Sequence, residues 1–229
     1  MKILALCFAL VSAVAVTATA DDAKPAGVHN SSEHPQLAIT PAAARERLEA
    51  GNARFVANKT TLHNWPSEVA ATAAGQSPFA ALLGCMDSRV PGETIFDQGI
   101  GDLFDIRVAG NVVNDDELGS LEYAAKHGIK LIVVMGHTKC GAVTGALEGA
   151  KLGSLTGLLA KIEPAEKAAG CHDTSDACVT SVAEANVRES MKQIRARSSY
   201  LSGLFDENKI EISGAMYDVA TGKVRFLGN

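Results

Sequence analysis

One short stretch, residues 131–141, constrains the fold and the chemistry of this chain more than any other. Five apolar residues, 131–135, end at Gly136, which is typical of a short strand buried on both faces of a sheet. His137 and Cys140 follow that strand with two residues between them. A turn at a strand end brings such positions together, so the pair can bind one metal ion. Two ligands do not hold a catalytic zinc, so at least one more is required.

A second apolar segment, 80–84, supplies the third candidate ligand. Cys85 follows it directly, and Asp87 lies two residues further on. In an open parallel sheet, functional groups gather beyond the carboxyl ends of the strands. We therefore expect Cys85 to lie beside His137 and Cys140. Together they would form a Cys2His set whose fourth position is open to water or to a carboxylate.

The chain as a whole alternates strands and helices, which predicts an α/β fold with a mostly parallel central β-sheet flanked by helices. Thr40 and Pro41 predict an N-cap and the first residue of a helix. His63 is predicted to be a surface residue and Trp65 a packing residue. The predicted helices are 41–58, 114–127, one beginning at 140, 152–169 and 179–197. The predicted strands are 79–84, 103–108, 130–135 and a closing hairpin of 209–217 with 223–227.

The N-terminal segment differs from the rest of the chain. Lys2 is followed by an uncharged, mostly apolar run, 3–20, that ends in the small residues Ala-Thr-Ala. This pattern predicts a secretory signal peptide, and hence a secreted protein, periplasmic in a Gram-negative host. The alternative is an uncleaved anchor, because the run is almost long enough to span a bilayer. The predicted parts are the signal peptide, 1–20, a flexible leader, 21–39, and a catalytic domain, 40–229.

The composition excludes some classes of partner. The formal net charge is −5 at pH 7, and the Lys and Arg residues are scattered along the chain. This balance argues against a nucleic-acid-binding surface. No segment after the signal peptide is apolar enough for a membrane span. The length fits one domain with a substantial core.

Two further cysteines, Cys171 and Cys178, lie in a polar stretch. An exported protein meets oxidising conditions, so we predict a disulfide between them. The alternative is a second metal site that also uses His172, although no fourth ligand is evident.

The residues around the candidate ligands resemble the signature of the β-class carbonic anhydrases. Residues 85–89 have the sequence Cys-Met-Asp-Ser-Arg, and residues 137–141 have the sequence His-Thr-Lys-Cys-Gly. The resemblance covers roughly residues 40 to 227. It extends through 101–104, 107–111, 119–124 and 214–218.

The resemblance implies an enzyme that hydrates carbon dioxide reversibly to bicarbonate and a proton. Cys85, His137 and Cys140 would hold one Zn²⁺ per subunit, and zinc-bound hydroxide would attack CO2. Two alternatives remain open at this point. The same fold and metal could hydrolyse CS2 or COS, or the protein could be a zinc-binding scaffold without catalysis.

Two roles are open for Asp87. It can accept a hydrogen bond from the hydroxide, with Arg89 fixing the carboxylate as a bidentate pair. It can instead bind zinc as a fourth ligand in a closed, inactive state. In family members regulated by bicarbonate, a tryptophan lies three residues before the first ligand, whereas Leu82 stands there in this chain. We therefore expect the open form.

The resemblance also implies a substrate pocket with apolar walls, because CO2 has no charge or dipole to bind. Phe104, Ala109 and Tyr123 would line it. Gln76 would form a hydrogen bond near the zinc-ligand water, and the backbone amide of Gly141 would orient bicarbonate. In the family several of these groups come from the neighbouring subunit, so we expect a homodimer or homotetramer.

Overall fold

The computed structural model describes residues 39–228. The predicted signal peptide, 1–20, and nearly all of the predicted leader, 21–39, lie outside the described residues. Within the described part of the chain, no helix has the length and apolarity needed to cross a membrane.

A five-stranded sheet forms the centre of the fold. Its strands are β1 (Ala80–Gly84), β2 (Leu103–Arg107), β3 (Leu131–His137), β4 (Glu211–Tyr217) and β5 (Val224–Phe226). The order is β2-β1-β3-β4-β5, with four parallel strands and an antiparallel β5 at one edge. Parallel neighbours need long crossovers, which explains why helices separate the strands in sequence. The predicted α/β fold with a mostly parallel, helix-flanked sheet is confirmed.

Helices cover both faces of the sheet. Within residues 39–228 they are α1 (Pro41–Val56), α2 (Trp65–Thr72), α3 (Gly92–Ile95), α4 (Asp115–Lys126), α5 (Gly141–Leu147), α6 (Gly153–Leu159), α7 (Glu163–Ala169), α8 (Asp176–Arg197) and α9 (Ser199–Asp206). Short 3-10 turns lie at Ala109–Asn111 and Ala160–Ile162. As predicted, the Thr40 hydroxyl caps α1, accepting a hydrogen bond of 3.1 Å from the amide of Ala43.

The structure corrects one helix prediction and adds one helix that the sequence analysis did not include. The single helix predicted for 152–169 is instead α6, a 3-10 turn and α7. Pro164 lies in the first turn of α7, where its missing amide costs no hydrogen bond, so a helix begins there more readily than it continues. The sequence analysis missed α9, whose N-cap Ser198 accepts a hydrogen bond of 3.1 Å from the amide of Leu201.

The internal strands β1 and β3 bring the two halves of the predicted metal site together. Every residue of both strands is buried, as expected for apolar runs with helices on both faces. Gly84 of β1 lies beside Met135 of β3 in the parallel register. Cys85 therefore leaves the sheet next to the end of β3, where His137 is the last residue.

Helix α8 packs directly against β3 and β4 at two glycines that face it. A Cβ atom at Gly136 would lie 2.8 Å from a methyl group of Val187 and 2.9 Å from the sulfur of Met216. At Gly214 it would lie 2.8 Å from Val187 and 2.9 Å from the sulfur of Met191. These distances are too short for real carbon contacts, so no larger residue fits at either position without moving the helix.

The prediction that His63 is a surface residue is wrong. Its side chain is only 9% exposed, and Nδ1 lies 2.9 Å from the buried carboxylate of Glu68. Its Nε2 lies 3.8 Å from a carboxylate oxygen of Asp97. Trp65 stacks on the imidazole with ring centroids 4.4 Å apart, yet half of the indole surface is exposed. The polar loop between α1 and α2 is thus anchored by a buried ring, which its composition does not reveal.

Replacement of Asp105 by asparagine is expected to stabilise the protein at alkaline pH. Burial and the charge of Glu93 raise the pKa of Asp105 to about 6, against about 3.9 in an unfolded chain. The folded protein therefore holds this proton more tightly, and stability falls as pH rises from about 4 to about 6. Asp105→Asn should raise the free energy of unfolding by about 2 kcal/mol at pH 8 and by little near pH 4.

Urea unfolding at both pH values checks this expectation. Glu46→Gln, at an exposed position on α1, is the matched control and should change stability by less than about 0.5 kcal/mol at either pH. An equal gain for Asp105→Asn at pH 4 and pH 8 would contradict a pKa raised in the folded state.

Candidate metal centre

Three side chains that are distant in sequence meet beyond the carboxyl ends of β1 and β3. One ligand atom each of Cys85, His137 and Cys140 lies within 4.8 Å of the other two. All three residues are buried, with exposures of 4%, 0% and 1%. Within residues 39–228 this is the one set of three or more such side chains close enough to hold a metal ion.

The turn after β3 explains the spacing of two of these ligands. His137 ends the strand, and Cys140 is the N-cap residue of α5. Between them Lys139 adopts a left-handed conformation with a φ of 54°, which is uncommon for a residue with a side chain. This conformation reverses the chain and returns the sulfur of Cys140 to the imidazole of His137.

The imidazole of His137 presents one nitrogen as a ligand. Its Nδ1 lies 2.9 Å from the carbonyl oxygen of Thr138, and a carbonyl can only accept, so Nδ1 carries the proton. The other nitrogen, Nε2, is buried without a hydrogen-bond partner among the described residues. A buried, unpaired lone pair is costly, and a metal ion is the partner that compensates it.

The two sulfurs share one strongly stabilised negative charge. The Cys140 thiol and the amide of Gly110, 3.3 Å from the Cys85 sulfur, lower the pKa of Cys85 to about 4. The neighbouring Cys85 thiolate, together with burial, raises the pKa of Cys140. Ionising both thiols therefore requires a compensating cation. Two thiolates and one imidazole are ligands that Zn²⁺ prefers. The donor set thus fits zinc.

A carboxylate and a guanidinium border the cluster. Arg89 donates two hydrogen bonds to Asp87, Nε to Oδ1 at 2.9 Å and Nη2 to Oδ2 at 2.7 Å. The guanidinium also donates to the carbonyl oxygen of Lys139 at 3.2 Å, which fixes it to the metal-ligand turn. These bonds hold the pKa of Asp87 well below its usual range, so the carboxylate is ionised. Its Oδ2 lies 4.0 Å from Nε2 of His137.

The sequence analysis did not identify the contacts that Arg107 and Gly110 make at the metal ligands. Arg107 donates to the carbonyl oxygens of Cys85 at 3.0 Å and of Asp87 at 2.5 Å, so it fixes the backbone that holds both side chains. The register of β1 and β2 contains the signal for it, because Arg107 lies beside Gly84 where β1 ends. No comparable signal identifies Gly110 as the donor to the Cys85 sulfur.

The predicted substrate-binding residues do not all lie together in one chain. Gly141 and Ala109 adjoin the cluster along the chain, next to Cys140 and to the turn that contains Gly110. Phe104 and Tyr123 instead line a surface cavity of about 560 Å³ along the open edge of β2. Gln76 is exposed in the loop between α2 and β1. The remaining residues of that cavity are Asp105, Ile106, Asp115, Asp116, Gly119 and Ser120.

A disulfide joins Cys171 to Cys178 at the start of α8, with the Cα atoms 5.8 Å apart. His172 is exposed, and its Nδ1 lies 3.0 Å from a carboxylate oxygen of Glu166. These two sulfurs are therefore bonded to each other rather than arranged with His172 around a second metal ion.

Comparisons with known proteins identify relatives of the chain. Residues 80–224 match the protein family described as carbonic anhydrase. Carbonic anhydrase 2 of Mycobacterium tuberculosis strain H37Rv is 38% identical over 193 residues, covering 80% of this chain and 91% of the relative. The carbonic anhydrase of Mycolicibacterium smegmatis is 36% identical over 197 residues, covering 80% and 92%.

Solved structures have the same fold. The β-carbonic anhydrase CafA of the fungal pathogen Aspergillus fumigatus superposes with a TM-score of 0.66 at 30% identity, covering 81% of this chain and 89% of that one. A tetrameric β-carbonic anhydrase of Sordaria macrospora gives a TM-score of 0.65 at 29% identity, covering 72% and 87%. The fold, the Cys-His-Cys cluster and the sequence matches agree, and the chain belongs to the β-carbonic anhydrase family of enzymes.

Proposed function

We propose that this enzyme catalyses the reversible hydration of CO2 to bicarbonate and a proton, with one Zn²⁺ held by Cys85, His137 and Cys140. The observation that supports it most is the meeting of these three buried side chains at the strand ends, within 4.8 Å of one another. The unpaired Nε2 of His137 and the shared charge of the sulfurs both favour a bound cation.

Zinc bound there supplies a Lewis acid that lowers the pKa of water towards neutral pH. The protein contributes the fixed surroundings. The hydrogen bond from Nδ1 of His137 to the Thr138 carbonyl keeps Nε2 unprotonated and orients the ring. Arg107 holds the backbone of Cys85 and Asp87 in place, so ligand and carboxylate keep a constant separation.

Asp87 is the catalytic carboxylate in this proposal. Because it is ionised, it accepts a hydrogen bond from the attacking water and directs a lone pair of that water towards the carbon of CO2. Arg89 acts as a positioning residue, because its two hydrogen bonds fix both carboxylate oxygens. The same pairing supports the open form over the closed one, in which Asp87 would itself bind the metal.

The substrate pocket is proposed to be completed by a second copy of the chain. Phe104 and Tyr123 line a cavity on the unpaired edge of β2, which one chain leaves open to solvent. The Sordaria macrospora relative is described as tetrameric, which supports a homo-oligomer here, as a dimer or a tetramer. Gln76, Ala109 and Gly141 are proposed to complete the polar and apolar contacts to CO2 and bicarbonate.

We also propose that the chain is exported, to the periplasm in a Gram-negative host. The uncharged apolar run 3–20, with small residues at its end, and the Cys171–Cys178 disulfide support this. The intact mass of the protein recovered from the native host should correspond to a chain beginning near Asp21. A mature chain that retains Met1 and is found in the cytoplasm would contradict export.

Stopped-flow measurement of CO2 hydration, together with zinc quantitation, tests the proposed activity. The hydration rate should rise in proportion to the zinc content of the mature protein and disappear when a chelator removes the metal. The same preparations should be assayed for CS2 and COS hydrolysis. Full zinc occupancy with hydrolysis of these substrates and no CO2 turnover, or with no turnover at all, would overturn the proposal.

A further inference from the structure

The 3-10 turn that follows β2 has an unusual backbone. Gly110 and Asn111 are consecutive residues with φ angles of 70° and 42°, both in the left-handed region. Asn is among the side-chain-bearing residues that adopt this conformation most readily, so the sequence at 110–111 suits the turn. This turn directs the amide of Gly110 at the sulfur of Cys85, 3.3 Å away.

Two polar side chains of α8 hold this turn. The Asn186 amide donates a hydrogen bond of 2.6 Å to the carbonyl oxygen of Gly110. The Ser190 hydroxyl donates one of 3.0 Å to the carbonyl oxygen of Asn111. Asn186 and Ser190 are four residues apart and therefore lie on the same face of the helix. Asn186 is only 2% exposed and Ser190 only 3% exposed, so both polar side chains are buried and need hydrogen-bond partners inside the protein.

We propose that Asn186, assisted by Ser190, is a positioning residue for the metal centre and acts on Cys85 through the amide of Gly110. The two helix side chains fix the carbonyls of Gly110 and Asn111, the peptide units that follow the Gly110 N–H, and so restrain the direction of that N–H through the backbone of Gly110. A hydrogen bond donated to a thiolate withdraws charge from it, which adjusts how strongly that sulfur donates to a bound metal. The inference rests on the proposed metal site of Cys85, His137 and Cys140.

The alternative is that Asn186 only fills the core between α8 and the sheet. Its side chain would then affect the stability of the fold and not the sulfur–metal bond. A packing defect elsewhere on α8 separates the two explanations. If Asn186 positions Cys85, such a defect should leave metal binding unchanged, and if Asn186 only fills the core, the defect should affect metal binding as much as loss of Asn186 does. Ile194, fully buried on the same helix, provides such a defect.

The test uses the full mature protein and the variants Asn186→Leu, Ser190→Ala and Ile194→Ala. Asn186→Leu keeps the side-chain volume and removes the donor. The probes are Zn²⁺ affinity from chelator competition and the thiolate-to-cobalt charge-transfer band of the Co²⁺-substituted protein. We expect Asn186→Leu to weaken metal binding about 10-fold or more and to shift the band, with smaller changes of the same sign in Ser190→Ala. Ile194→Ala should lower only the free energy of unfolding.

Unchanged affinity and band position in Asn186→Leu would overturn the inference, and so would equal changes in Ile194→Ala. If Asn186→Leu does not fold, Ser190→Ala decides by the same two measurements. A wild-type protein that binds neither Zn²⁺ nor Co²⁺ would refute the proposed metal site itself. The inference alone fails if the wild type binds both ions and the variants bind them equally well.

Discussion

Replacement of Asp87 by asparagine should leave zinc in place and lower kcat/KM for CO2 hydration by a factor of about 10² to 10³. The carboxylate lies outside the group of three candidate ligands, so we expect metal binding to persist without its charge. Asparagine has nearly the same shape, but its amide presents one acceptor in place of an ionised carboxylate with two. It therefore holds the attacking water less well and pairs less well with Arg89. Stopped-flow rates and zinc content, measured on the same samples, check both parts.

Asp176 supplies the matched control for this experiment. Its carboxylate lies 3.3 Å from the ammonium group of Lys139, so it also contacts the metal-ligand turn, but from the exposed side. Asp176→Asn should change the hydration rate less than about twofold, because an exposed ion pair contributes little. If Asp87→Asn retained full activity at full zinc occupancy, Asp87 would have no part in the mechanism.

Replacement of Cys140 by serine should abolish both metal binding and hydration. A serine hydroxyl is not ionised near neutral pH and is a poor zinc ligand, so one of three protein ligands is lost. Zinc affinity should fall by a factor of about 10³ or more, and activity should fall with the zinc content. The buried position and small size of residue 140 mean that the fold should persist, which circular dichroism can verify.

The second cysteine pair provides the control for that variant. Replacing both Cys171 and Cys178 with serine should leave zinc content and activity intact while lowering the free energy of unfolding by about 2–3 kcal/mol, the value for closing a loop of this length. A Cys140→Ser protein with wild-type zinc content would exclude Cys140 from the metal site. Loss of zinc in the double variant would extend the site to the start of α8.

The ligand set could be predicted from the sequence because each ligand follows an apolar strand. Parallel strands end at the same edge of the sheet, and β1 and β3 are neighbours there, so the ligands that follow them can meet. The bidentate Asp87–Arg89 pair, which the sequence analysis anticipated as one of two roles for Asp87, is also a local feature of two residues separated by one. Predictions of this kind rest on residues that are close together in the sequence, so the sequence alone contains the pattern.

Other contacts of the site could not be predicted because their partners are far apart in sequence. Asn186 and Gly110 are 76 residues apart, and nothing in a helical pattern indicates which polar residue will face a distant turn. The burial of His63 is partly of this origin, because Asp97 reaches it from another part of the chain while its closer partner, Glu68, is only five residues away. The division of the predicted helix 152–169 had a local signal in Pro164, which the sequence analysis did not use.

The close contact between α8 and the sheet, made possible by Gly136 and Gly214, has a consequence for how the enzyme tolerates change. A side chain at either position would be too close to Val187, so we expect it to displace α8 and, with it, the neighbouring Asn186. Because Asn186 is proposed to position Cys85, the spacing between these two layers should also affect zinc binding, although neither glycine is itself a ligand. We therefore expect substitutions at Gly136 and Gly214 to be selected against both because they disturb the packing of α8 and because they weaken metal binding.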